Sequence, residues 1–189
     1  MIRRTARSSA LLVGLTSGLL TGCLPDSAGG LRFGDPAPSF SARTLDGTRI
    51  ASLADYRGHT VIVNLWATWC VPCRTETPYL QSLFEQYQDR GLRIVGVSVD
   101  NETQWPAVHA FLEEMGVAYD VLLDPKGTSE RTFRARGLPN SILINREGRV
   151  VFSWLGPIEE GDPTFLAGLE QALEEEVSRT APGTEASGP

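Results

Sequence analysis

Short apolar runs alternate along this chain with longer stretches in which apolar residues recur every three or four positions. Runs of the first kind predict buried strands, and spacings of the second kind predict amphipathic helices. The predicted strands cover residues 61–66, 93–99 and 121–123. The predicted helices cover residues 70–90, 105–115, 127–136 and 165–177, with a helical turn at 53–56.

Two further pairs of strands are predicted to form β-hairpins, one near each end of this pattern. The first pair covers residues 39–44 and 48–51, and the second covers residues 141–144 and 150–154. Asp46-Gly47, between the first two strands, is a dipeptide typical of tight hairpin turns. Strands that alternate with helices and end in an antiparallel pair predict an α/β sandwich with a mixed central sheet.

The length and charge of the chain limit what it can be. Its 189 residues suffice for one domain with a core and short appendages, but not for two ordinary domains. The net charge is −6, and no basic stripe interrupts the acidic body. Nucleic acid is therefore not expected as a partner.

The first 22 residues predict an export signal. Three arginines precede an apolar stretch at residues 9–20, which is too short for an ordinary membrane span. The motif Leu20-Thr21-Gly22-Cys23 is similar to the lipobox of bacterial lipoproteins, which implies cleavage before Cys23 and lipid on that cysteine. A plain secretory signal with an incidental cysteine, and twin-arginine export, are the alternatives.

These features divide the chain into four parts. Residues 1–22 are the expected signal peptide, and residues 23–34 the lipidated cysteine with a flexible tether. Residues 35–178 form the expected folded domain. Residues 179–189 are rich in Pro, Gly, Ser and Thr and predict a disordered tail.

The candidate chemistry lies in Cys70-Val71-Pro72-Cys73, which follows a predicted strand and forms the first turn of a predicted helix. Two thiols in the first turn of a helix can close a disulfide, and the helix dipole and free backbone N–H groups favour a thiolate there. Cys70 is the expected nucleophile, and Cys73, one turn further, the more buried resolving thiol. Pro72 suits the first turn, where no N–H is needed.

The order of motifs around this pair resembles the thioredoxin superfamily. The run W-C-x-P-C-R-x-E-x-P, ending at Pro78, is most similar to the extracytoplasmic TlpA/ResA-like thiol-disulfide oxidoreductases. The resemblance spans roughly residues 35–175 and includes Gly137-Leu138-Pro139 before a strand. It implies a thioredoxin-like three-layer sandwich with a mixed central sheet, an N-terminal hairpin and an inserted helix.

The resemblance also implies roles for residues around the cysteines. Pro139 is expected to be cis and to face the disulfide, with backbone groups of Leu138 pairing with an extended substrate. Trp69 and Pro72 are expected in the docking surface. Glu76 could exchange protons with Cys73, or could only complement the helix N-terminus or pair with an arginine; both readings stay open.

The expected function is that of a membrane-anchored extracytoplasmic thiol-disulfide oxidoreductase that reduces disulfides in exported proteins, for example during cytochrome c maturation. A membrane thiol-electron donor would recharge it. No cofactor is expected beyond the redox-active Cys70–Cys73 disulfide. Val71 and Pro72 place no positive charge between the thiols, which favours a reductant over an oxidant.

Four other readings compete with this one. A metal-handling assembly factor would need ligands besides the two thiolates, and the only histidines are His59 and His109. A thiol peroxidase would share the inserted helix with peroxiredoxins, but Cys70 is followed by a second cysteine instead of standing in the peroxidatic context. The third alternative is a binding module without a redox cycle, and the fourth is a purely structural disulfide.

Overall fold

The computed structural model describes residues 31–174 of the chain. The predicted signal peptide, Cys23 and the predicted C-terminal tail lie outside the described residues. Within residues 31–174, no helix is both long and apolar enough to cross a membrane.

A seven-stranded sheet forms the centre of the domain, in the order β2-β1-β5-β4-β3-β6-β7. Strands β3, β4 and β5 are parallel to one another, and the remaining pairs are antiparallel. The mixed sheet is therefore as the sequence predicted. The strands are β1 (Ser41–Thr44), β2 (Ile50–Ser52), β3 (Thr60–Trp66), β4 (Leu92–Ser98), β5 (Asp120–Leu123), β6 (Asn140–Ile144) and β7 (Val150–Leu155).

Four α-helices connect or follow these strands. They are α1 (Val71–Tyr87), α2 (Trp105–Met115), α3 (Thr128–Thr132) and α4 (Pro163–Glu174). Helix α1 continues into a 3₁₀ turn, and Gly91 ends it with a left-handed φ of 93°. The helical turn predicted at 53–56 is a 3₁₀ helix, Leu53–Tyr56, with Ser52 as its N-cap.

Two apolar clusters, one on each face of the sheet, make up the core. Alternation along β3 sends Ile62 and Trp66 to one face and Val63 to the other. Helices α1, α2 and α4 cover the first face. The second face is covered by Phe133 after α3, by Tyr56 and by the N-terminal segment around Phe40. This is the expected three-layer arrangement.

The structure corrects the predicted helix over 127–136, which is only the five-residue helix α3. The chain cannot continue as a helix because Arg134 adopts a φ of 54°. Several other boundaries differ by one to three residues, and the starts of β2 and α4 are two of them. Strand β2 begins at Ile50 because Thr48 lies in the turn and bonds to Asp46. Helix α4 begins at Pro163, two residues earlier than predicted.

Candidate functional site around the Cys70–Cys73 pair

Cys70 and Cys73 form a disulfide at the start of α1. Cys70 is the N-cap of the helix, and the backbone N–H of Cys73 donates to its Sγ at 3.3 Å. Cys73 is 1% exposed and Cys70 is 5% exposed. Cys73 is thus the more buried of the two, as expected, but Cys70 is less accessible in the oxidised protein than the sequence suggested.

A short loop carries the chain from the end of β3 to Cys70. The backbone N–H of Cys70 donates to the carbonyl of Ala67 at 3.1 Å, which closes a turn. Within the loop, Thr68 bonds to the carboxylate of Asp100 through both its N–H and its hydroxyl. The indole of Trp69 is 62% exposed and Val71 is 73% exposed, so apolar surface surrounds the disulfide.

The loop before β6 lies at the same end of the sheet. Strand β6 runs antiparallel to β3, with Asn140 opposite Leu65, so β6 begins where β3 ends. The Leu138–Pro139 peptide bond is cis, as the resemblance implied. Pro139 is buried, and its carbonyl accepts a hydrogen bond from Gly156 at 2.9 Å.

Leu155 is an exposed apolar residue at this end that the sequence analysis did not single out. It is the last residue of β7, stands opposite Asn140 in the sheet and is 56% exposed. The predicted strand ended one residue earlier, at 154. Had the strand been extended by one position, its register would have placed Leu155 beside the cis-proline loop.

Glu76 lies on α1 one turn beyond Cys73 and is only 2% exposed. Its carboxylate accepts hydrogen bonds from Asn64 Nδ2 at 3.2 Å, from the backbone N–H of Ile158 at 3.1 Å and from Ser141 Oγ at 3.5 Å. Burial raises the pKa of Glu76 from its ordinary 4.5 to about 7, although the three hydrogen bonds act in the opposite direction.

The partners of Glu76 bear on the two readings left open above. All three are neutral donors, and no arginine pairs with it in residues 31–174. The arginine close to it in sequence, Arg74, instead pairs with Glu114 at 2.8 Å. The reading in which Glu76 pairs with an arginine is therefore wrong.

Asn64 connects Glu76 on α1 to Ser141 in the sheet, and the three side chains form a buried polar cluster. It lies on β3 directly opposite Ser141 on β6 and donates to the Ser141 hydroxyl at 2.9 Å. Its side chain is buried, at 3% exposed, on the face of the sheet that α1 covers. The side-chain amide of Asn64 is therefore fixed where it donates hydrogen bonds to both Glu76 and Ser141.

Trp66 belongs to the core, and His59 lies at the other end of the sheet from the disulfide. Trp66 is 2% exposed and stacks on Phe111 of α2, with ring centroids 4.7 Å apart, so it is a core residue. His59 lines a cleft of about 570 Å³ beside the start of β3, at the opposite end of the sheet from the disulfide. In the part of the chain that is described, no group of three or more His, Cys, Asp or Glu could hold a metal ion.

Comparison with known proteins places this geometry in a family. Residues 33–153 match the AhpC/TSA family. The thiol-disulfide oxidoreductase ResA of Bacillus subtilis strain 168 is 36% identical over 127 residues, which are 67% of this chain and 69% of that protein. ResA of Bacillus anthracis is 35% identical over 126 residues, 67% of this chain and 71% of that protein.

Solved structures agree with the sequence matches. A thiol:disulfide interchange protein of the thioredoxin family from Chlorobium tepidum is 33% identical, with a TM-score of 0.64 over 74% of this chain and 97% of that chain. A thiol:disulfide interchange protein from Bacteroides sp. is 30% identical, with a TM-score of 0.61 over 82% and 96%.

A mixed sheet, a disulfide at the start of a helix and a cis-proline loop at the same end of the sheet define a thioredoxin-like redox protein. The chain belongs to the AhpC/TSA family, and the relatives it resembles include ResA thiol-disulfide oxidoreductases. It is a redox enzyme of that kind.

Proposed function

We propose that this protein reduces disulfides in exported proteins through a dithiol cycle of Cys70 and Cys73. The observation that carries the proposal is the disulfide at the N-terminus of α1, at the sheet end that also holds the cis-proline loop. The thiol peroxidase alternative is less well supported, because Cys70 is already paired with a resolving cysteine three residues away.

The cycle starts from the reduced protein and transfers two electrons. The Cys70 thiolate attacks one sulfur of the partner disulfide, and the other partner sulfur leaves as a thiolate. The Cys73 thiolate then attacks Cys70 Sγ and releases the second partner sulfur. The partner gains two thiols, and the Cys70–Cys73 disulfide is formed again. A separate thiol donor must then reduce this disulfide.

The two cysteines divide these steps by their positions. The Cys73 N–H points at Cys70 Sγ, and together with the start of the helix it would stabilise a thiolate there. Cys73 is 1% exposed, so a partner protein cannot reach it directly. Its role is the internal attack that resolves the mixed disulfide.

Glu76 is the proposed proton acceptor for Cys73. The Cys73 thiol must lose its proton before it attacks, and a carboxyl with a pKa of about 7 can both accept and return a proton near neutrality. Glu76 follows Cys73 by three residues and is buried with it against the sheet. The three groups that donate hydrogen bonds to Glu76 are neutral, so none of them holds its carboxyl permanently in the ionised form.

The proposed docking surface consists of Trp69, Pro72, Leu138 and the cis-proline Pro139. Trp69 and Pro72 are exposed on the side of the disulfide that faces solvent. In the described structure, the backbone of Leu138 makes no hydrogen bond, so its N–H and C=O can pair with an extended substrate strand.

A turnover assay tests the cycle. Supplied with dithiothreitol, the protein should accelerate the reduction of insulin, and Cys70→Ser or Cys73→Ser should abolish the acceleration. Pre-reduced Cys73→Ser, mixed with insulin after the dithiothreitol has been removed, should in addition accumulate a mixed disulfide, because the thiol that resolves it is missing. Thr75→Ser, an exposed position on the same helical turn, is the matched control. Full activity in both cysteine variants would contradict the proposal.

We also propose that the enzyme works outside the cytoplasm, anchored to a bacterial membrane by lipid on Cys23. The support is the motif Leu20-Thr21-Gly22-Cys23. Two or three acyl chains anchor a protein stably, where one is marginal. Cys23→Ala should leave the precursor uncleaved or release the protein from the membrane fraction, as seen by fractionation and mass spectrometry. Unchanged cleavage and fractionation would refute the anchor.

Within that compartment, the proposed partners are exported proteins with disulfides, among them proteins of cytochrome c maturation. The proposed electron source is a membrane thiol-electron donor, because an oxidising compartment returns the site to the disulfide. Expressed in cells, Cys73→Ser would trap the partner as a mixed disulfide that mass spectrometry identifies.

A further inference from the structure

Asp100 is a fully buried acid that lies beside the redox site and has no part in the cycle above. It lies two residues after the end of β4 and is 0% exposed. Its carboxylate accepts hydrogen bonds from the Thr68 hydroxyl at 2.6 Å, the Thr68 N–H at 2.9 Å and the Ser98 hydroxyl at 2.9 Å. In residues 31–174, no cation pairs with it.

A buried carboxylate is costly unless hydrogen bonds satisfy it, so its partners indicate what it holds in place. Two of its three donors belong to one residue, Thr68, which is 32 positions away in sequence. Thr68 lies midway between the end of β3 and Cys70. Asp100 therefore ties the end of β4 to the loop in front of the disulfide.

The loop has a second attachment at Cys70, which is independent of Asp100. Helix α1 holds Cys70 through the N–H groups of Cys73 and Arg74, which donate to its carbonyl at 3.1 and 3.3 Å. Trp69 stands between these two attachments and is itself 62% exposed. Without the Asp100 contacts, the helix still holds Cys70 and the turn from Ala67 to Cys70 still closes, but the loop loses its attachment to the end of β4 at Thr68, next to Trp69.

We propose that Asp100 is a positioning residue for substrate docking, which holds Trp69 in place through Thr68. The inference rests on the proposed reduction of protein disulfides. A protein substrate uses the surface around Trp69, and a small disulfide needs only the sulfur of Cys70. Loss of Asp100 should therefore weaken docking of proteins and leave the chemistry of Cys70 unchanged.

The chain offers a matched control at the same end of the sheet, where the parallel strands finish. Asp124 follows the neighbouring strand β5, is 4% exposed, and accepts hydrogen bonds from the hydroxyl of Thr128 and the N–H of Ser129. It too is a buried aspartate held by a threonine hydroxyl and a backbone amide. Its partners belong to α3 and not to the loop before Cys70.

The test compares Asp100→Asn with Asp124→Asn in the full-length protein. Asp100→Asn should raise KM for insulin roughly tenfold with kcat within about twofold, because tenfold is about 1.4 kcal/mol, the scale of one lost hydrogen bond. The rate with 2,2′-dithiodipyridine should stay within about twofold of the wild type. Asp124→Asn should lower the unfolding midpoint but leave both rates unchanged.

Variants at Thr68 keep the inference testable if Asp100→Asn does not fold. Thr68→Val, which removes the hydroxyl at constant shape, should raise KM for insulin, and Thr68→Ser should restore it. A rise in KM that Asp124→Asn reproduces would make Asp100 merely structural. An equal fall in rate with both disulfides would place it in the chemistry of Cys70. Either result overturns the inference, whereas a wild type inactive on insulin would overturn the proposed function instead.

Discussion

Glu76 shows how a single side chain acquires an unusual acidity from its surroundings. Its carboxylate has three neutral hydrogen-bond donors and is almost completely removed from water. Hydrogen bonds favour the charged form, but within residues 31–174 no cation compensates for the loss of hydration, so burial prevails and the pKa rises to about 7. The same position with an arginine beside it would be an ordinary ionised acid, unable to take a proton from Cys73.

This acidity predicts a dependence of stability on pH. The folded pKa of Glu76 is about 7 and its ordinary value is 4.5, so the folded protein binds the proton more tightly than the unfolded chain. The protonated Glu76 carboxyl therefore stabilises the folded protein relative to the ionised one. This contribution to the free energy of unfolding is complete below about pH 4.5 and is lost as the pH rises through about 7. The loss should be on the order of 3 kcal/mol.

Urea unfolding of the oxidised wild type and of Glu76→Gln, at pH 4 and pH 8, measures this loss. The amide of the variant faces hydrogen-bond donors, which lowers the free energy of unfolding. Because an amide does not titrate, this loss is the same at both pH values. Only the wild type should lose the additional free energy at pH 8. Glu85→Gln, at an exposed position on the same helix, should behave like the wild type. Equal pH dependence of wild type and Glu76→Gln would contradict the buried, neutral carboxyl.

Among the strands and helices, the strongest hydrophobic patterns were predicted most accurately. Strand β3 and helix α2 lie within one residue of their predicted bounds. β3 is apolar at five of its seven positions, and the apolar residues of α2 recur every three or four positions. Gly116 ends α2 in the left-handed conformation. Helix α3 was predicted too long because the turn at Arg134 depends on its backbone φ, for which an arginine gives no signal.

The candidate site was predictable only where it is local in sequence. The spacing of Cys70, Cys73 and Glu76 follows from one helix, so their common face could be predicted. The partners of Glu76 could not, since Asn64, Ser141 and Ile158 come from three separate segments that meet through the pairing of β3 with β6. Asp100 was missed for the same reason: a polar residue after a strand resembles any loop residue, and its partner Thr68 is 32 positions away.

Across the domain, the site and the N-terminal segment lie at opposite ends of the sheet. Gly34 bonds to Val150 at the start of β7, and Pro36 forms a bridge with Arg149. The disulfide lies at the other end, where β7 finishes at Leu155 beside the cis-proline loop. The first described residues therefore lie at the far end of the sheet from the apolar surface around the disulfide.

The direction of electron flow is set by how well the domain stabilises the reduced pair. The start of α1 and the Cys73 N–H favour a Cys70 thiolate, but Val71 and Pro72 add no cation between the thiols. Arg74, the basic residue that follows the pair, is engaged by Glu114 and lies over the ring of Phe111. Among the described residues, the start of α1 is therefore the main group that would stabilise a Cys70 thiolate.

We therefore expect a reduction potential nearer to thioredoxin's, about −270 mV, than to the roughly −120 mV of a strong periplasmic oxidant. Each 30 mV is about 1.4 kcal/mol for this two-electron couple, so the two limits differ by about 7 kcal/mol and decide whether the protein donates or accepts electrons. Equilibration in glutathione buffers, followed by tryptophan fluorescence, measures the midpoint. Val71→His, which adds a cation at an exposed position beside Cys70, should raise it. A wild-type midpoint above about −180 mV, the value of a disulfide isomerase, would make the protein an oxidant.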